Sequence, residues 1–114
     1  MPKRVQMTRQ RPWRKDHPDA VIVARPSKWG NPYAIQRGSA AGRFDIIGPD
    51  SSHVATVTGG GVEHAREVAV DLFRLKAAPT LDVTELAGRD LACWCPLDQP
   101  CHATVLLELA NGGA

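Results

Sequence analysis

The first sustained apolar run is Ala20-Val-Ile-Val-Ala24, small and β-branched residues set between Pro18 and Pro26. Side chains of this kind suit a covered, pleated surface, so the run predicts a largely buried strand. Phe44-Asp-Ile-Ile47, closed by Gly48 and Pro49, predicts a second strand. Residues 50–61 are rich in Ser, Thr and Gly and predict an exposed loop, or a hairpin around His-Val-Ala-Thr-Val at 53–57. From Val62 the apolar period lengthens. Ala65, Val68, Ala69, Leu72 and Leu75 recur at three- and four-residue spacings, with Glu63, Arg66, Glu67, Arg74 and Lys76 largely outside that stripe, which predicts a helix bounded by Pro79. Asp-Val-Thr-Glu-Leu-Ala-Gly at 82–88 carries the signals of a second, short helix: Asp82 as cap, Glu85 three residues on as in a capping box, and Gly88 as a left-handed exit. Asp90–Cys95 predicts a strand. Residues 103–113 predict a closing helix that turns Val105, Leu106, Leu109 and Ala110 inward and ends at Asn111 or Gly112. The pattern is that of one small α/β or α+β domain over 1–114, a short sheet packed with two or three helices and a C-terminal strand-loop-helix unit.

Composition narrows the setting. The chain has 114 residues, 43% of them apolar, enough for a core without crosslinks. No apolar run approaches the roughly 20 residues needed to span a bilayer, and the basic N-terminus lacks the apolar stretch of a secretory signal, so a cytoplasmic protein with no membrane partner is expected. The net charge of +2 is unevenly spread: residues 1–15 hold Lys3, Arg4, Arg9, Arg11, Arg14 and Lys15 with no acid, leaving −4 on the rest. Such a basic arm can contact phosphates of a nucleotide or nucleic acid, or can be a solvated tail.

All the cysteines and one of the four histidines fall in Cys-Trp-Cys-Pro-Leu-Asp-Gln-Pro-Cys-His, residues 93–102. Three cysteines cannot all pair within one chain, and a reducing compartment opposes pairing, so ligation of a metal is favoured over a disulfide framework. Side chains two apart on a strand share a face, which would present the Cys93 and Cys95 sulfurs together and turn Trp94 away, into the core or a neighbour. Pro96 and Pro100 bracket a tight excursion that can return Cys101 and His102 to the same place at a helix start. Cys93, Cys95, Cys101 and His102 would form the Cys3His set of a tetrahedral zinc site. The fourth ligand could equally be His64, His53, His17 or water, and with water the ion could activate a nucleophile. Inert buried thiols and a redox or catalytic cysteine are the other readings of the cluster. The H-x-E and P-C-x-x-C signature of the zinc nucleobase deaminases is absent.

Arg-Pro-Ser-Lys-Trp-Gly-Asn-Pro-Tyr, residues 25–33, is too rich in Pro and Gly for a helix and predicts a stiff, shaped loop. Arg25 and Lys28 can hold a phosphate or carboxylate, Trp29 can stack on a base, Asn31 offers a donor and an acceptor, and Gly30 allows close backbone approach. The alternative is a packing loop, with Trp29 plugging the core and Asn31 bonding the backbone. His64 and Glu67 share a helix face, more simply as a solvated pair than as acid-base chemistry.

The segment ending near Pro-Trp-Arg-Lys at 12–15, the Val-Ala-Arg-Pro-Ser-Lys-Trp-Gly-Asn-Pro-Tyr loop and the closing stretch from Leu86 to Asn111 together resemble a domain of unknown function found mainly in bacteriophages and actinobacteria. The resemblance implies a phage-type setting and a metal site on Cys93, Cys95, Cys101 and His102, and no activity. Three functions fit: a zinc-stabilised module binding nucleic acid or a nucleotide through the basic arm and the 25–32 loop, an enzyme acting on a nucleotide or modified base, or a phage factor binding a host protein.

Overall fold

The computed structural model describes residues 2–10, 12–25, 27–38 and 40–112. Its elements, in chain order, are β1 (Arg4–Gln6), α1 (Trp13–Asp16), β2 (Val21–Ile22), β3 (Ala34–Arg37), β4 (Arg43–Ile47), β5 (His53–Thr58), α2 (Gly61–Leu72), β6 (Leu91–Cys93) and α3 (His102–Ala110). They form a mixed α/β domain with two three-stranded sheets. Among the described residues no helix is long and apolar enough to cross a membrane.

The first sheet is parallel, in the order β1-β6-β2, with Val5 opposite Ala92 and Ile22 opposite the same residue on the other side. A central parallel strand is covered on both faces, and Leu91, Ala92 and Cys93 are accordingly all buried. The ladder runs on past the strand ends through Met7 N–H to the Cys93 carbonyl and Val23 N–H to the Ala92 carbonyl, both at 2.9 Å. The second sheet is antiparallel, β3-β4-β5, with a register irregularity at Ile46 and Ile47. α2 lies on it through Ala65 and Ala69, whose small side chains let helix and sheet approach closely around Ile46 and Val57.

The helix predicted up to Pro79 changes character before it ends. After Leu72 the chain makes a π-helical turn over Phe73–Ala77, closed by Ala78 N–H to the Phe73 carbonyl, then a 3-10 turn over Ala78–Thr80. The wider turn inserts residues into the 3.6-residue period. Phe73 and Ala78 are thereby buried in the first core with Val23, Leu91, Val105 and Leu106, while Leu75, which the apolar spacing placed inward, is 71% exposed. Leu109 is likewise turned out, and Leu107 packs against the core beside Val105 and Leu106. The 82–88 segment is a 3-10 turn (Val83–Leu86): Asp82 accepts from Thr84 N–H at 3.1 Å, and Glu85, instead of closing a capping box, pairs with Lys28 at 2.7 Å. Gly88 has the positive φ of 73° expected at the exit.

Much of the basic N-terminal segment is part of the fold, although Arg11 lies outside the described residues. Val5 and Met7 alternate into the core, a two-residue period too short to stand out among the cations. Arg4, on the same strand, donates through its guanidinium to the carbonyls of Leu97 and Pro96 and so ties β1 to the loop after β6.

Replacing Phe73 by Ala should cost about 3–5 kcal/mol, the loss typical of a fully buried aromatic, whereas Leu75→Ala should change stability by no more than about 0.5 kcal/mol. Denaturant unfolding of both variants checks the inversion of the helical pattern.

Candidate metal centre

β6 stops at Cys93, and a bend carries the chain through Trp94 and Cys95. The two sulfurs therefore meet around the end of a strand rather than along one face of it. Pro96 then opens a turn closed by Gln99 N–H to the Pro96 carbonyl at 3.0 Å, and the chain comes back with Cys101 as the extended N-cap residue of α3. The Sγ atoms of Cys93, Cys95 and Cys101 all lie within 4.8 Å of one another, with Cys93 and Cys95 at 3.8 Å, and all three are free thiols. Four ligands at a Zn–S distance of about 2.3 Å around a tetrahedral ion set neighbouring sulfurs about 3.8 Å apart, so the donors fit such an ion in kind and in spacing.

The electrostatics point the same way. Hydrogen bonds from Cys93 and Cys95 hold the Cys101 thiol far below the ordinary thiol range. The hydrogen bond to Cys101 in turn pushes the Cys95 thiol far up, with the Cys93 sulfur and burial adding to it, and Cys93 is raised chiefly by its own bond to Cys101. Each ionised sulfur thus disfavours ionisation of the next, because a second and third thiolate so close would repel the first. A dication removes that repulsion and lets all three ionise.

His102 is buried and stands outside the group of converging sulfurs. Its Nε2 lies 2.8 Å from the Val23 carbonyl, which fixes the proton there, and its Nδ1 faces Cys101 Sγ at 3.8 Å. Phe73 meets the ring edge-on with centroids 5.1 Å apart. The other histidines are placed elsewhere: His64 beside Glu67 at 3.6 Å, His53 beside Asp45 at 3.3 Å, and His17 beside Asp90 at 3.8 Å.

A cavity of about 450 Å³ opens between the two cores and takes all three cysteines into its wall. It lies beyond the carboxyl ends of the parallel strands, the usual ligand crevice of open α/β sheets. Arg25 and Asn31 come to it from the 25–33 loop, Arg66 and Ala69 from α2, and Trp94 and His102 from the cysteine segment. Arg25 has no hydrogen-bond or ion-pair partner among the described residues. Its side chain lies across Gly30, where a Cβ would come within 2.6 Å of Arg25 Cγ, so a glycine is what leaves the arginine its room. Asn31 is a brace: its amide donates to the Ala69 carbonyl at 3.2 Å and its oxygen accepts from Tyr33 N–H at 2.9 Å, pinning the loop to α2. The other two loop candidates do not line the cavity. Trp29 is 5% exposed in the first core, and Lys28 is on the surface, paired with Glu85 and 4.8 Å from the Trp29 ring centroid.

Two cavity residues had no sequence signal pointing to them. Arg66 adjoins the Ala65–Ala69 stripe and reads there as a surface charge, yet it faces the cavity and donates to Gln99 Oε1 at 3.1 Å. Trp94 is 49% exposed instead of buried, because the strand that would have turned it into the core ends one residue earlier.

Fold and site define a small mixed α/β domain in which a thiolate cluster with metal-ligand spacing shares a cavity with two arginines. The chain belongs to the family described as a domain of unknown function (DUF4326), whose model matches residues 5–112. No curated protein and no solved structure matches it.

Cys95→Ser should lower bound metal from about one ion per chain to near none, measured by elemental analysis of the untagged protein. In metal-stripped wild type, ultraviolet thiolate absorbance should correspond to one thiolate well below about pH 8.5, the ordinary thiol value, with the other two appearing only above it. Cys101→Ser should abolish the low-pH signal.

Proposed function

We propose that the chain is a zinc-centred domain whose cavity binds a phosphorylated ligand of nucleotide size and acts on it. The observation that carries this reading is that the three cysteines, Arg25 and Arg66 open onto one cavity. Its volume of about 450 Å³ lies within the range of small-molecule sites. Three thiolates favour zinc among the common soft-ligand ions. Among the described residues only Cys93, Cys95 and Cys101 converge, so these three would hold the ion, and a coordination position would remain for a ligand, as in catalytic rather than closed structural zinc. Bound there, zinc would act as a Lewis acid toward a water or a ligand oxygen.

The chain's own side chains supply the rest. Arg25, which has no partner among the described residues, offers its guanidinium fork to an anion, and Arg66 is held at its post by Gln99. Asn31 keeps the loop at a fixed distance from α2. The His102 Nε2–H donates to the Val23 carbonyl, which leaves Nδ1 turned toward Cys101.

That last contact favours a second reading. A metal-bound histidine commonly donates its other nitrogen to a backbone carbonyl, so His102 would close a Cys3His site by a small shift of Nδ1, leaving zinc structural and the cavity a binding site alone. Cobalt substitution separates the two: His102→Gln should leave the cobalt-thiolate spectrum intact with an open position and alter it if His102 is a ligand.

Calorimetric titration of the zinc-loaded protein with inorganic pyrophosphate and nucleotides tests the anion site. Arg25→Ala and Arg66→Ala should each weaken binding by about tenfold or more, the loss expected of a charged hydrogen bond. Unchanged affinity in both variants would contradict the proposal.

A further inference from the structure

Of the aromatic side chains, Trp29, Tyr33 and Phe73 are buried, and Trp94 alone among the described ones is a strongly exposed ring. It is also in the wall of the cavity that holds the cysteines and arginines. Solvation of a large indole is unfavourable, and a ring simply pushed out by the chain path would be free to swing. Trp94 is not free in that sense. Its neighbours on both sides, Cys93 and Cys95, belong to the sulfur cluster, so its backbone is held wherever the cluster is held. Arg9, from the basic N-terminal segment, sets its guanidinium 5.7 Å from the centre of the ring. A cation over an indole is attracted by the ring's quadrupole and restrains it.

We infer that Trp94, backed by Arg9, is the platform on which an aromatic base of the ligand stacks, so that the cavity takes nucleoside phosphates in preference to sugar phosphates. The inference rests on the phosphorylated-ligand reading above and adds to it what lies at the other end of the ligand. Guanidinium groups at Arg25 and Arg66 suit the phosphate, and an indole suits any base, since every base has a π face. It also gives the basic segment a specific use. Arg9 holds the Trp94 ring, while Arg4 bonds the loop that follows the cysteine pair.

The test compares ribonucleoside monophosphates, purine and pyrimidine, with ribose 5-phosphate on the zinc-loaded full chain, by calorimetry and by tryptophan fluorescence. Wild type should bind at least one nucleoside monophosphate on the order of tenfold more tightly than ribose 5-phosphate, the size expected of one base-aromatic stack. Trp94→Ala should erase that preference while leaving the affinity for ribose 5-phosphate as it was. Trp94→Phe should retain most of the preference and lose the ligand-induced fluorescence quenching, and Arg9→Ala should weaken nucleotide binding alone. Equal binding of the two ligand types by wild type, or a preference that survives Trp94→Ala, overturns the stacking platform and leaves the anion site standing. Binding of neither by wild type overturns the anion site itself.

Discussion

Three sulfurs brought within 4.8 Å of one another are the constraint around which the C-terminal third is arranged. Thiolates so close repel, so ionisation of one sulfur raises its neighbours, and a cation among them would relieve the conflict. The surrounding chain holds them together from several directions. β6 is locked between β1 and β2, Arg4 bonds the carbonyls of the returning loop, and Cys101 is set by the start of α3. None of these struts is an ion ligand, yet each fixes a sulfur. That is the condition for a site whose geometry is imposed by the fold rather than by the metal alone.

The cavity exists because the domain has two cores rather than one. α2 packs on the antiparallel sheet, and its π-helical turn hands Phe73 across to the parallel sheet, where it backs His102. The space between is lined by Asn31 and by the cysteines. Arg25, Arg66 and the thiolate cluster thus bring opposite charges into one partly enclosed volume, where interactions are less screened than at an open surface. A bound dication would offset two of the three thiolate charges, so Arg25 and Arg66 are the groups that make this wall attractive to an anion.

How legible this was varies with the kind of signal. β4, α2 and α3 follow from their apolar spacing, while β5, which buries only Val57, was legible only as a hairpin alternative to an exposed loop. β1 and β3 escaped because each is so short that its alternation merges with flanking cations or prolines. Cys93, Cys95 and Cys101 were evident from their clustering alone, although their convergence uses a bend and not the strand face that their spacing suggested. Trp29 takes the core-packing role that the loop's composition allowed, whereas Trp94 is turned outward, since what buries a tryptophan is the path of the backbone around it. Arg66 illustrates the same limit: a charge beside an apolar helical stripe faces solvent or a cavity according to what packs above it, and that is tertiary information.

The most direct measurement is a crystal structure of the untagged, anaerobically purified protein with anomalous data collected on both sides of the zinc absorption edge. An anomalous peak about 2.3 Å from the sulfurs of Cys93, Cys95 and Cys101, with its remaining coordination position turned toward Arg25 and Arg66, is the expected result. No peak among the sulfurs, or two of them joined in a disulfide, would contradict it.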